Sequence, residues 1–350
     1  MDEHPGIHRR DVATPRLSIH LREAGAGTPV LFVHGNAASS VFWEEQLLAL
    51  PTGFRGLAPD LRGYGDTEDI PIDATHGPRD WVDDLLGLLD ALDLPQVHLV
   101  GHSLGGVVAF ALVAAQPARF LTLTLVAPGS PHGFGGCRGP DGEMCWPDAA
   151  GSGAGLVKPA FVARLAAGDR SEEDPLASPR AVMNALYWKP PFRPAREEAL
   201  LTGLLSTKVG TERYPGDFVG SDHWPHTGPG HWGPANALSP RFADRLADRF
   251  VAAEPKLEVL WVRGADDRIV SDASLSDAGT LGQLGTLPDW PGPDVFPPQP
   301  MVTQVRRVLE RYAAAGGAFR EVVLRNTGHT PFIEQPDAFA DELHALLTGR

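Results

Sequence analysis

The residues best placed to do chemistry lie in the run Leu99-Val100-Gly101-His102-Ser103-Leu104-Gly105-Gly106, where an apolar extended stretch meets Gly-x-Ser-x-Gly. A helical apolar segment follows from Val107. On a sharp strand-to-helix turn a serine side chain is pushed out above the sheet, and glycines flank it because side chains there would collide with neighbouring backbone. Ser103 is the candidate nucleophile. Its hydroxyl is weak at neutral pH, so it needs a histidine to take its proton and a carboxylate to fix that histidine's tautomer and stabilise the imidazolium. A second cluster, Asp222-His223-Trp224-Pro225-His226 followed by His231-Trp232, carries ligand types that suit zinc. Pro225 and Pro229 interrupt it and it lacks zinc-motif spacing, so the expectation there is packing surface and no metal.

Such a serine has to be held by a strand before it and a helix after it. Apolar runs bounded by turn residues at Val30–Val33, Val97–Val100, Leu121–Val126, Leu257–Val262 and Glu321–Leu324 read as buried strands. Amphipathic helices lie between them, with Trp81, Leu85, Leu89 and Leu92 on one and Val302, Val305, Leu309 and Tyr312 on another. Phe339, Leu343 and Leu347 predict a C-terminal helix from about Pro336. Phe242, Leu246 and Phe250 predict a helix capped by Ser239, with Pro240 in its first turn. This alternation predicts an α/β chain with a mostly parallel central sheet and helices on both faces. Glycine (39) and proline (33) crowd into residues 131–155 and 286–300, where regular structure is not expected. Pro128 to Leu238 carries weaker strand signals and many aromatics, and reads as a cap.

Composition narrows the partners. Thirty basic against 44 acidic residues give a net charge of −14, leaving no basic surface for a phosphate backbone, so nucleic acid is not an expected partner. No apolar stretch approaches the ~20 residues that span a bilayer. The start, Met1-Asp2-Glu3-His4-Pro5, lacks the basic and apolar regions of a secretory signal, so a cytoplasmic location is expected. Cys137 and Cys145 are too few for a disulfide framework and are expected as thiols, with a short-loop disulfide as the alternative.

Together with the Ser103 turn, three segments in matching chain order resemble the α/β-hydrolase superfamily. Val30-Leu31-Phe32-Val33-His34-Gly35-Asn36 resembles its strand and His-Gly oxyanion loop, implying the backbone N–H groups of Asn36 and Leu104 as the oxyanion hole. Trp261-Val262-Arg263-Gly264-Ala265-Asp266-Asp267 resembles the strand end that supplies the acid, implying Asp267, with Asp266 the competitor. Gly328-His329-Thr330-Pro331-Phe332-Ile333-Glu334-Gln335-Pro336 is similar to the family's Gly-His-x-Pro-x-x-Glu-x-Pro segment, implying His329 as the base. Asp60-Leu61-Arg62-Gly63-Tyr64-Gly65 resembles a family loop read as structural, with Arg62 or Tyr64 at the pocket edge as the alternative. His102 is read as a packing residue.

The resemblance implies an α/β-hydrolase fold with a core of residues 1–128 and 239–350, a cap at 129–238 and a Pro/Gly-rich loop at 271–300 near the active site. Acid and base stand 62 positions apart, wider than in simpler members, and that loop supplies the excess. The implied activity is cleavage of a small, largely apolar carboxylic ester through Ser103, His329 and Asp267, with an acyl-enzyme and no cofactor. Alternatives on the same triad are a lactonase, a carbon–carbon bond hydrolase for ring-cleavage products, an amidase or aminopeptidase, and a cofactor-free perhydrolase. A ligand receptor is the non-enzyme alternative, but its usual sign, loss of a triad member, is missing. Haloalkane dehalogenases and epoxide hydrolases of the superfamily use an aspartate nucleophile, which position 103 lacks. Substrate-binding residues and oligomeric state are left unassigned. Residues 128–238 and 271–300 are expected to pack together over Ser103 around an apolar pocket, burying Trp188, Trp224, Trp232 and Trp290.

Overall fold

The computed structural model describes residues 4–349, so Met1 to Glu3 of the N-terminal reading lie outside the described residues. Strands β1 (His8–Ala13), β2 (Ser18–Gly25), β3 (Gly27–Val33), β4 (Gly53–Pro59), β5 (Val97–His102), β6 (Phe120–Val126), β7 (Glu258–Gly264) and β8 (Ala318–Leu324) form one sheet. Their order is β1-β2-β4-β3-β5-β6-β7-β8. Pairing is antiparallel from β1 through β2 to β4, and parallel from β4 to β8. Every residue of β5 is buried, as a central parallel strand covered on both faces requires. All five apolar runs fall on strands, with Leu257 one residue ahead of β7, while β1, β2 and β4 have no apolar run to mark them.

Each sheet face carries its own apolar layer. On one, Trp81, Leu85 and Leu89 of the helix Arg79–Ala91 meet Phe110, Phe250 and Tyr312. Phe250 stacks on Tyr312 and meets Phe110 edge-on, with ring centroids 4.7 and 4.8 Å apart. The other layer joins Phe32, Val100, Trp43, Phe332 and Phe339 to Met183, Tyr187, Trp188, Leu201 and Leu204, which lie between β6 and β7. The helices Pro159–Ala166, Pro179–Leu186 and Glu197–Leu205 thus complete the second layer instead of enclosing a core of their own. A small third cluster gathers Trp224, Ala278 and Phe296 with Cys145, Trp146, Leu287 and Trp290.

Some local expectations change. The helix after Ser103 begins at Leu104, three residues before the anticipated start. Ser239 does cap through its side chain, accepting from Arg241 N, but it opens only a short 3-10 turn at Pro240–Phe242. Left-handed backbone at Asp244 and Arg245 (φ 43° and 52°) breaks the chain before the helix Leu246–Ala252 starts. Residues 131–155 do hold a two-residue antiparallel ladder, Cys137–Arg138 with Glu143–Met144. Both cysteines are free thiols. No helix among the described residues is long and apolar enough to cross a membrane.

Candidate active site

Ser103 sits between β5 and the helix Leu104–Ala115 at φ 55°, ψ −115°, a strained conformation for a residue with a side chain. The surrounding backbone holds it there. Its N–H donates to Val126 O at 3.0 Å, and its carbonyl accepts from Gly106, Val107 and Gly129 at 2.9–3.2 Å. The glycines are set by space. A Cβ at Gly101 would stand 2.4 Å from Gly105 O, and one at Gly105 would stand 2.3 Å from Val33 O. Ser103 is half-buried, and its hydroxyl makes no hydrogen bond among the described residues, which leaves the rotor free to turn.

His329 and Asp267 meet where the loops after β8 and β7 come together. His329 Nδ1 donates to Asp267 Oδ2 at 2.8 Å, with both side chains buried. The other carboxylate oxygen accepts from Ile269 N at 2.7 Å and Val270 N at 3.0 Å, so the acid is fixed by its own turn. With Nδ1 engaged, Nε2 of His329 is left as the basic nitrogen. The neighbouring Asp266 turns outward and pairs with Lys189 Nζ at 3.0 Å. The imidazole lies beside the Ser103 turn. His102, immediately before Ser103, donates from Nε2 to the His329 carbonyl at 2.9 Å, and the two rings are 4.7 Å apart. Burial first, and then His329, hold His102 well below the usual imidazole range, so it packs as a neutral ring.

The loop His34-Gly35-Asn36 comes equally close, since a Cβ at Gly35 would stand 3.1 Å from Ser103 Cβ. Its orientation traces to His34. Leu61 N donates to His34 Nε2 at 3.0 Å, so Nδ1 carries the hydrogen and donates to Gly35 O at 2.8 Å. Within a planar trans peptide the N–H points opposite to the C=O, so tethering Gly35 O on one side turns the Asn36 N–H to the other. Among the described residues neither Asn36 N nor Leu104 N finds an acceptor. Burial, first among the causes, lowers His34 and keeps it neutral in this role. Tyr64 is buried and donates to Asn36 Oδ1 at 2.6 Å. Arg62 donates to Asp84 at 2.7 and 2.8 Å and to Pro71 O at 3.1 Å.

Sequence reasoning gave no role to Glu334 or Tyr187. Glu334 accepts from Gly328 N at 2.7 Å and from Lys189 N at 2.8 Å, tying the histidine loop to the segment after β6. Burial first, with Asp267's charge adding, raises Glu334 above the usual carboxylate range. Its place in the Gly-His-x-Pro-x-x-Glu-x-Pro run was the available signal, whereas Tyr187 had none. In the Asp222–His231 run, His223 bonds Asp148 at 3.1 Å and stacks on Trp146 with ring centroids 4.5 Å apart. The group able to offer three ligands within 4.8 Å, among the described residues, is instead His20, Asp60 and Asp66. Asp60 there already accepts from Ser40 N, Ser40 Oγ and Asp66 N at 2.6–2.8 Å, and Arg22 stands 3.6 Å away to meet its charge.

Residues 128–238 and 271–300 do pack together. Trp224 Nε1 donates to Pro288 O at 2.8 Å, and its ring meets Phe296 at 4.9 Å. Gln299 accepts from Gly135 N at 2.7 Å and donates to Gly133 O at 2.9 Å. Trp188 and Trp224 are buried, while Trp232 and Trp290 are half-buried. A surface cleft of about 460 Å³ lies by Leu89, Pro95 and Arg119, and one of about 400 Å³ between Phe42, Phe192, Arg196 and Ile333.

A family model described as alpha/beta hydrolase fold matches residues 28–150. An epoxide hydrolase from Caballeronia sordidicola is 35% identical over 173 residues, 43% of this chain and 52% of that protein. A 2-hydroxymuconate semialdehyde hydrolase from Pseudomonas sp. (strain CF600) is 36% identical over 120 residues, 33% of this chain and 42% of that protein. The chain spans about half or less of the length of these relatives. Among solved structures, a serine hydrolase from Cycloclasticus zankles superposes with a TM-score of 0.60 at 17% identity, covering 98% of this chain and 99% of its own.

Proposed function

We propose that this chain, which has the α/β-hydrolase fold, is a serine hydrolase cleaving a small carboxylic ester through an acyl-enzyme. The observation that carries this reading is the buried Asp267–His329 pair beside a serine held in the strained strand-to-helix turn. In the proposed reaction Ser103 Oγ attacks the acyl carbon while His329 Nε2 takes its proton, and Asp267 stabilises the imidazolium. The N–H groups of Asn36 and Leu104 receive the oxyanion of the tetrahedral intermediate. Collapse breaks the bond to the alkoxide, which takes the proton back from His329 and leaves as the alcohol. Water then attacks the acyl-enzyme with its proton going to His329, and a second collapse releases the acid and restores Ser103. In this reading residues 129–238 form the cap and the 271–300 loop borders the entrance, and together they select the acyl and alcohol groups.

Ester cleavage leads because an acyl carbon with an alkoxide leaving group makes the smallest demand on a triad. Carbon–carbon bond hydrolysis is the second reading, favoured by the 36% identity to the semialdehyde hydrolase. Epoxide opening through an ester on a carboxylate would require aspartate where this chain has Ser103. The test is Ser103→Ala assayed on p-nitrophenyl esters, a lactone, an anilide and a vinylogous diketone. Loss of the order of 10⁶ in turnover is expected for removal of a triad nucleophile. A variant that kept more than about a tenth of wild-type turnover would overturn the assignment, and wild-type preference for the diketone over every ester would select the second reading.

A further inference from the structure

We propose that Tyr187 is a positioning residue that joins the oxyanion loop to the histidine loop, making the segment after β6 part of the catalytic machinery. The inference rests on the roles proposed above for Ser103, Asn36 and His329. Tyr187 is buried at the end of the helix Pro179–Leu186. Its hydroxyl donates to Ala37 O at 2.9 Å and lies 3.3 Å from Asn36 O. Its own carbonyl accepts from the hydroxyl of Thr330, the residue after His329, at 2.9 Å. One residue therefore spans the gap between two loops that come from opposite ends of the chain.

The next two residues extend the same joint. Trp188 backbone presses on the histidine loop, since a Cβ at Gly328 would stand 2.7 Å from Trp188 C. Lys189 N donates to Glu334, whose other oxygen holds Gly328 N. Its ammonium reaches Asp266 at 3.0 Å and Asn326 at 3.1 Å. The strap 187–189 is thus bonded to the histidine loop at several points and to the oxyanion loop chiefly through one hydroxyl.

That hydroxyl acts where strain has to be held. Ala37 has φ 45°, an unfavourable conformation for alanine, and the Tyr187 bond secures its carbonyl. Holding the Asn36 and Ala37 carbonyls toward Tyr187 limits rotation of the loop that presents the Asn36 N–H, while His34 aims that N–H from the other side. Burial first, with Tyr214 adding, pushes the phenol far above its usual range, so it stays protonated and keeps donating.

The test is Tyr187→Phe, which keeps the ring beside Phe42 (6.1 Å) and the backbone bond to Thr330 while removing the hydroxyl. Losing an oxyanion donor outright costs about 10²–10³ in kcat, and disordering one indirectly should cost less, about tenfold. The expected result is that drop in kcat on a short p-nitrophenyl ester with KM within about twofold. Affinity for a trifluoromethyl ketone, which adds the serine oxygen to give a tetrahedral oxyanion, should fall by the same factor as kcat/KM. A merely structural contact would lower Tm and leave the ketone's advantage over the substrate unchanged. A second pair removes dependence on one variant: Thr330→Val should reproduce the loss, and Thr330→Ser should restore activity. Wild-type kcat and ketone affinity in Tyr187→Phe, or a change confined to KM, overturns the proposal. Loss of activity in Ser103→Ala with wild-type behaviour in Tyr187→Phe overturns the coupling alone, whereas a fully active Ser103→Ala overturns both readings.

Discussion

The Ser103 turn and residues 131–155 are both rich in glycine, and glycine serves a different purpose in each. At Gly101 the backbone conformation is open to any residue, but an added Cβ would meet Gly105 O at 2.4 Å. At Gly139 nothing lies within 4 Å, but φ is +64°. The first region is ordered by contact between backbones, so a change of one methyl group is felt at Ser103. The second follows a path that left-handed residues permit, and long-range side-chain bonds such as those of Gln299 hold it in place. In the proposed reading this separates rigid chemistry from adjustable specificity, with the strap at Tyr187 as the joint between them.

The largest effect expected at that boundary concerns two adjacent carboxylates. Asp267 faces His329 and belongs to the rigid region, whereas Asp266 faces Lys189 on the segment after β6. Asp267→Asn should lower turnover by about 10⁴, the loss seen when a triad histidine is left with the wrong tautomer. Asp266→Asn removes a part-exposed ion pair and should change turnover by no more than a few-fold. Steady-state kinetics on both variants decides the matter, and equal losses would show that the joint carries as much of the chemistry as the turn does.

Smaller, and read as stability, is the glycine contrast itself. Gly101→Ala forces overlap with backbone that cannot move independently, so about 3 kcal/mol is expected, or failure to fold. Gly139→Ala meets no neighbour and should cost about 1 kcal/mol for its conformation alone. Denaturant midpoints measure both. A larger loss at Gly139 would reverse the assignment of crowding to one region and conformation to the other.

Smaller again is a cut between the two Gly/Pro-rich segments. Gln299 is fully buried and bonded to Gly133, Gly135 and Gln304. Gln299→Ala leaves buried partners unpaired, a local loss of about 2 kcal/mol. Hydrogen exchange should quicken at residues 133–136 while the rate at which an organophosphonate labels Ser103 stays constant. Labelling that slowed in step with the exchange would mean that the adjustable region sets the geometry of Ser103 after all.

How far the sequence foretold this arrangement follows the same division. Ser103, His329, Asp267 and the Asn36 loop lie in short runs whose spacing reflects local backbone demands, and the structure brings these residues together. Strands β3, β5, β6, β7 and β8 were visible as apolar runs because both their faces are covered. β1 was not, since His8-Arg9-Arg10-Asp11-Val12-Ala13 is a largely exposed edge whose order comes from pairing with β2. β4 hides two glycines, an arginine and a proline among its seven residues, and its neighbours β2 and β3 supply what local propensity does not. Tyr187 and Gln299 were illegible for another reason. Each acts on residues more than 140 positions away, and no periodicity encodes such a contact.

The smallest expected effect comes from acid, which acts on one histidine of the sheet and one carboxylate of the segment after β6 in different pH windows. In the sheet, burial lowers His98 to about 4, and its Nδ1 meets the Thr122 hydroxyl of the adjacent strand at 2.8 Å. Its ordinary value is 6.5, so between these limits the unfolded chain binds more protons than the native one. The stability it contributes is complete above about pH 6.5, declines as pH falls, and is gone below about 4. On the segment after β6, the Ser171 backbone N–H first, and then Arg164, lower Asp169 from 3.8 to about 2. That contribution is intact above about pH 3.8 and disappears as pH falls through 2. His98→Gln should therefore flatten part of the fall in Tm between pH 6.5 and 4, by about 2 °C, and leave the lower window alone. His34, His102, His132 and His344, also held below their ordinary range by burial, account for a remaining slope. Asp169→Asn should do the reverse, leaving the upper window intact and weakening the pH dependence below 4. Melting curves at half-unit steps measure both, and a His98→Gln protein with the wild-type slope above pH 4 would remove His98 from this account of acid sensitivity.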